Sequence, residues 1–67
     1  MLKRNFAIAL AYSGLKAAEW ARGNGFYHSN VIQVLSGEVT SARILHAVEG
    51  FTNEQLSALA KELVGVA

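Results

Sequence analysis

Glycine recurs at positions 14, 25, 37 and 50, about every dozen residues, and the chain contains no proline. Glycine reaches left-handed backbone angles that stop a helix, while the lack of proline removes the strongest interior breaker, so this spacing predicts a series of short helices. A chain of 67 residues makes one domain and buries only about 60% of its unfolded surface. With no cysteine, neither disulfides nor thiolate metal sites can brace it, so helix packing must supply the stability.

The apolar pattern fills in the segments. Lys3 to Tyr12 carries Leu2, Phe6, Ala9 and Leu10 at helical spacing, with Lys3, Arg4 and Asn5 on the wet side. Ala17 to Asn24 turns Ala17, Trp20 and Ala21 inward and leaves Lys16, Glu19 and Arg22 in water, with Gly25 as its stop. His28 to Leu35 presents Val31, Val34 and Leu35 inward. Its β-branched stretch taken alone suits a strand, but adjacent stops and the lack of a partner strand favour helix.

Thr40 or Ser41 can cap a fourth helix through Glu49, with Ile44, Leu45 and Val48 inward. Thr52 and Gln55 have the spacing of a capping box, with Phe51 and Leu56 placed as a hydrophobic staple. They predict a fifth helix to about Val64, using Leu56, Leu59, Ala60 and Leu63, with Gly65 fraying its end. The expected fold is thus an all-α, compact bundle of about five short helices in a single domain over residues 1–67.

The second and third helices form the most informative unit. Counting from Ala17, the fourth position is Trp20, the fifth Ala21, the ninth Gly25, the tenth Phe26, the fifteenth Val31 and the eighteenth Val34. Two helices crossing steeply through a tight turn need a small residue at closest approach, a glycine-like turn and apolar residues filling the angle. Ala21, Gly25 and the Phe26, Val31, Val34 set supply these in order, which predicts a helix-turn-helix between Ala17 and Ser36.

The segments AEWAR (Ala18 to Arg22), NGF (Asn24 to Phe26) and VIQVLSG (Val31 to Gly37) resemble the helix-turn-helix of the lambda-repressor-like superfamily, and particularly small Mu-type phage regulators and Ner-like DNA-binding proteins. The likeness covers this unit specifically and the other helices mainly in size and order. It implies operator DNA binding by a transcriptional regulator, most often a repressor of phage type. Ala17 departs from many members, where a glutamine commonly reaches a phosphate, and this weakens the implied backbone anchoring.

With Val31, Val34 and Leu35 inward, helical spacing turns the opposite side of the third helix toward a major groove. Base-reading candidates there are His28, Ser29, Ile32, Gln33 and Ser36. The Gln33 amide can pair with adenine in bidentate fashion, and Ile32 can meet a thymine methyl group. His28 can donate to a purine or a phosphate, or serve only the first turn of its helix; Ser29 can contact DNA or cap. Tyr27 can reach a phosphate or seal the core beside Phe26. Lys16, Arg22, Thr40, Ser41 and Arg43 are the remaining backbone candidates, with Lys16, Arg22 and Arg43 also readable as charges that only keep the surface in water. Lys3 and Arg4 could add an N-terminal contact.

The formal charge is only +1, so nucleic-acid binding requires a local basic face rather than a basic molecule. Glu49, Glu54 and Glu62 fall toward the C-terminal part, consistent with such polarisation. One module buries little interface on DNA, so a homodimer reading two half-sites is expected, with Phe51, Leu63, Val64 and Val66 as contact candidates. Leu63 is also a candidate for closing the monomer core.

No cofactor and no enzymatic activity are expected, because His46 and Glu49 share a helix face without a cysteine or a phosphate-binding glycine loop. The competing function is a protein-interaction module or antitoxin-like adaptor on the same fold, with a protein partner. The first residues, MLKRNFAIALAYSG, have a basic start and an apolar run, but a cleaved leader would remove the first helix, and the apolar run meets Lys16 and Glu19 before membrane-spanning length. Cytoplasmic localisation without membrane attachment is the default expectation.

Overall fold

The computed structural model describes the backbone of residues 2–66 and the side chains of residues 2–65. Four helices follow one another: α1 (Leu2–Ser13), α2 (Ala17–Gly23), α3 (His28–Ser36) and α4 (Ala42–Val66), with no strand among the described residues. The first three end where the glycine pattern places their stops. Gly14, Gly25 and Gly37 have φ of 76°, 78° and 85°, a region that costs an L-residue about 1–2 kcal/mol.

The core is built around aromatic rings. Trp20 lies 5.0 Å from Phe6, 5.7 Å from Phe51 and 6.1 Å from Phe26 between ring centroids. Leu10, Ala21, Val31, Ile44 and Val48 complete the buried cluster, and Val34 and Leu35 pack against it half-buried. α1 and α4 make the most extensive contact between helices. Phe6 packs on Phe51, while Tyr12 lies beside Glu62, so the two helices run in the same direction. Interaction with the Glu62 carboxylate, assisted by desolvation, holds the Tyr12 phenol above its ordinary pKa.

The C-terminal third departs from the five-helix expectation. A single 25-residue helix, α4, replaces the fourth and fifth helices and continues through Gly50 and past Gly65. The physical reason is the stripe formed by Ile44, Val48, Phe51 and Thr52, spaced i, i+4, i+7 and i+8 on one helix face. All four are covered to some degree, and an unbroken helix brings them together onto the core. The Thr52/Gln55 capping box and the Phe51/Leu56 staple are therefore not formed. Leu45 faces out, 37% exposed, and Leu63 is 66% exposed, so neither closes the core. Val66, offered as a dimer contact, has its side chain outside the described residues.

Continuity leaves Thr52 only 2% exposed, with no hydrogen-bond partner for its hydroxyl. A buried hydroxyl without a partner costs about 1–3 kcal/mol. The nearly isosteric Thr52→Val should therefore raise unfolding free energy by about 1–2 kcal/mol, read from the midpoint of urea denaturation. An unchanged or lowered midpoint would contradict that account of the site.

Candidate nucleic-acid interface

The α2–α3 pair is locked by its turn. Asn24 donates its side-chain amide to the Trp20 carbonyl at 2.9 Å, and the Phe26 amide donates to the Ala21 carbonyl at 2.8 Å. Left-handed Gly25 makes this reversal possible. Ala21 and Val31 are fully buried, so a methyl group and a branched side chain occupy the interior of the pair and α3 is held by its Val31 side.

Away from the buried Val31, α3 presents an uncovered strip, with His28 at its starting turn. His28, Ser29, Ile32 and Ser36 are exposed, with Ile32 at 46%, while Gln33 is half-buried. The Ser36 hydroxyl donates to the Gln33 carbonyl at 3.1 Å, and the amides of Glu38 and Val39 donate to the same oxygen. The Gln33 carbonyl thus closes the turn that follows α3, and the residue itself is partly covered. Its expectation as a fully presented base reader is narrowed accordingly: it stands on the outer face, at the edge of the strip.

The start of α3 is open. Tyr27 occupies the N-cap position without a side-chain cap, and no acidic residue lies in the first turn. Tyr27 is 78% exposed, so it does not seal the core, and that role falls to the neighbouring Phe26 ring. Arg43, in the first turn of α4, places its guanidinium carbon 5.6 Å from the Phe26 ring centroid. This cation–π contact is worth about 0.5–1 kcal/mol at an exposed site. It holds a cation beside the residue that leads directly into Tyr27 and His28. The charge was evident from the sequence, but its aromatic seat was not, because Phe26 and Arg43 are 17 positions apart.

The other backbone candidates divide. Ser41 accepts a long hydrogen bond, 3.4 Å, from the Ile44 amide and so caps α4, while Thr40 is exposed beside it. Lys16 and Arg22 are exposed at opposite ends of α2. The Lys16 backbone amide donates to Glu19 at 3.0 Å, so Glu19 is engaged in capping α2 and its charge sits next to Lys16. Of these cations, Arg43 is the one seated on an aromatic ring, that of Phe26 in the α2–α3 turn.

Among the described residues there is no cluster of three or more metal-ligating side chains, no pocket, and no helix long and apolar enough to cross a membrane. No family model matches the chain, and neither a curated protein nor a solved structure does.

Proposed function

We propose that the chain is a helix-turn-helix regulator of the lambda-repressor-like kind that binds double-stranded DNA sequence-selectively through α3. The observation that carries this reading is the division of α3: Val31 is fully buried while Ser29, Ile32 and Ser36 are exposed on the side turned away from it, and His28 is exposed at the start of the helix. A helix held so firmly by one face, with its outer face uncovered, suits insertion into a major groove. Support comes from the uncapped, acid-free first turn, whose amide groups favour a phosphate, and from the Arg43 cation over Phe26 in the turn before it. Ile32 can bury its exposed apolar surface on a thymine methyl group. A homodimer would set two such helices about one turn of DNA apart, roughly 34–36 Å.

Selection from a random duplex pool tests the proposal. Enriched sites should share a short core, and Gln33→Ala or Ile32→Ala should relax the preference at one or two base pairs, each worth about 1–3 kcal/mol. Arg43→Ala should instead weaken all duplexes alike. Failure of the folded protein to enrich any sequence removes the reading.

A second reading, a protein-docking or antitoxin-like module, is favoured by the far end of α4. Leu63 and Val64 are 66% and 76% exposed there, which is costly surface for a lone domain. Unenriched DNA together with a stable complex with another protein through those residues would support it.

A further inference from the structure

The orphaned hydroxyl of Thr52, the unused cap sequence around it and the end of the core all coincide at one place in α4. Among the described residues, every α4 member in or against the core cluster, namely Ile44, Ala47, Val48 and Phe51, precedes Thr52. The described side chains of the arm, from Asn53 to Gly65, lie outside it, with Leu56 and Leu59 half-buried and Leu63 and Val64 exposed. α4 therefore consists of a half anchored in the buried cluster and an arm outside it that meets α1 through Glu62 and Tyr12.

We infer that α4 is a two-state element hinged at Gly50–Thr52, exchanging between the continuous helix and a broken form in which Asn53 begins a separate helix. This inference is independent of the DNA-binding reading. In the continuous helix the Thr52 hydroxyl is buried without a partner, and the amides it could cap are engaged within the helix. In the broken form it becomes an N-cap that accepts from the Gln55 amide, while the Gln55 side chain reaches back to the Thr52 amide. Phe51 keeps its place against Phe6 and Trp20, and Leu56 can close over it as a staple.

Gly50 supplies the remaining requirement. It sits two residues before the new cap, is exposed, and has no neighbouring atom within 4 Å of a Cβ placed on it. Nothing in the continuous form requires glycine there, since its φ is not positive. A helix ending at Gly50 does draw on glycine's access to left-handed angles. The break gives up hydrogen bonds that span the hinge and part of the contact of the arm with α1, including that of Tyr12 with Glu62. It recovers the two reciprocal cap bonds and relieves the Thr52 hydroxyl.

The absence of native cysteine makes the test direct. Spin labels are attached at His46→Cys and Lys61→Cys, both exposed positions flanking the hinge. Unbroken helix separates these backbones by about 22 Å at about 1.5 Å per residue. The full chain is expected to show that separation together with a second, shorter one from the broken form. Gly50→Ala, which introduces no clash, and Thr52→Val, which removes the cap, should each reduce the shorter population about fivefold or more; Gln55→Ala provides a third variant acting on the cap alone. A single separation in the parent chain, at either length, overturns the inference. So does a second population that none of the three substitutions changes.

Discussion

Trp20→Ala should lower unfolding free energy by about 3–5 kcal/mol, the range for removing a large buried aromatic side chain. Trp20 is 5% exposed and is the one ring in contact with Phe6, Phe26 and Phe51 together. Those partners come from α1, the α2–α3 turn and α4, so one truncation loosens every junction in the molecule. A folded domain of this length has a total stability of about 3–10 kcal/mol. The variant should therefore be largely unfolded at 37 °C, or melt far below its parent, in far-ultraviolet circular dichroism. Trp20→Phe, which keeps a ring in the site, should lose much less. A Trp20→Ala protein that melts cooperatively within a few degrees of its parent would show that the aromatic cluster does not hold the helices together.

The same cluster explains which parts of the fold were legible in the sequence. The ends of α1, α2 and α3 are set by local chemistry: Gly14, Gly25 and Gly37 each adopt positive φ, and the inward residues Phe6, Leu10, Trp20, Ala21 and Val31 follow helical spacing. Local signals are also strong at Gly50, Thr52 and Gln55, but there they compete with a tertiary one. Phe51 reaches Phe6 and Trp20 from another part of the chain, and those contacts reward a helix that passes straight through the cap sequence. Sequence spacing within α4 contains the stripe but not the partner it meets, so the continuous helix could not be chosen from the local pattern.

Legibility at the candidate interface divides in the same way. The outward side of α3 follows from the inward placement of Val31, and the exposed positions of His28, Ser29, Ile32 and Ser36 agree with it. Gln33 is partly covered, and the turn after α3 folds back so that the Glu38 and Val39 amides close on its carbonyl. Side-chain periodicity is blind to such a reversal, because it depends on left-handed Gly37 and on the path of the chain toward α4. The seating of Arg43 on Phe26 is likewise a product of the assembled fold.

If α3 enters DNA as proposed, affinity should fall about fortyfold when monovalent salt rises from about 50 to about 200 mM. Three cations are exposed near the proposed interface or on the adjoining α2: Lys16, Arg22 and Arg43. Neutralising about three phosphates gives a slope of about −2.7 in log affinity against log salt, and a fourfold change in salt then corresponds to about 2.2 kcal/mol. Fluorescence anisotropy with a labelled duplex measures the slope. Arg43→Ala should make it shallower by about one, since that guanidinium sits over Phe26 in the turn that precedes α3. Glu54→Gln, on the arm of α4, should leave it unchanged. The contrast matters because a net charge of +1 gives the whole molecule little general attraction for DNA, so a steep slope has to come from a few placed cations. A flat salt response, or equal slopes for the parent and Arg43→Ala, would remove Arg43 from the interface and with it the electrostatic half of the DNA-binding proposal.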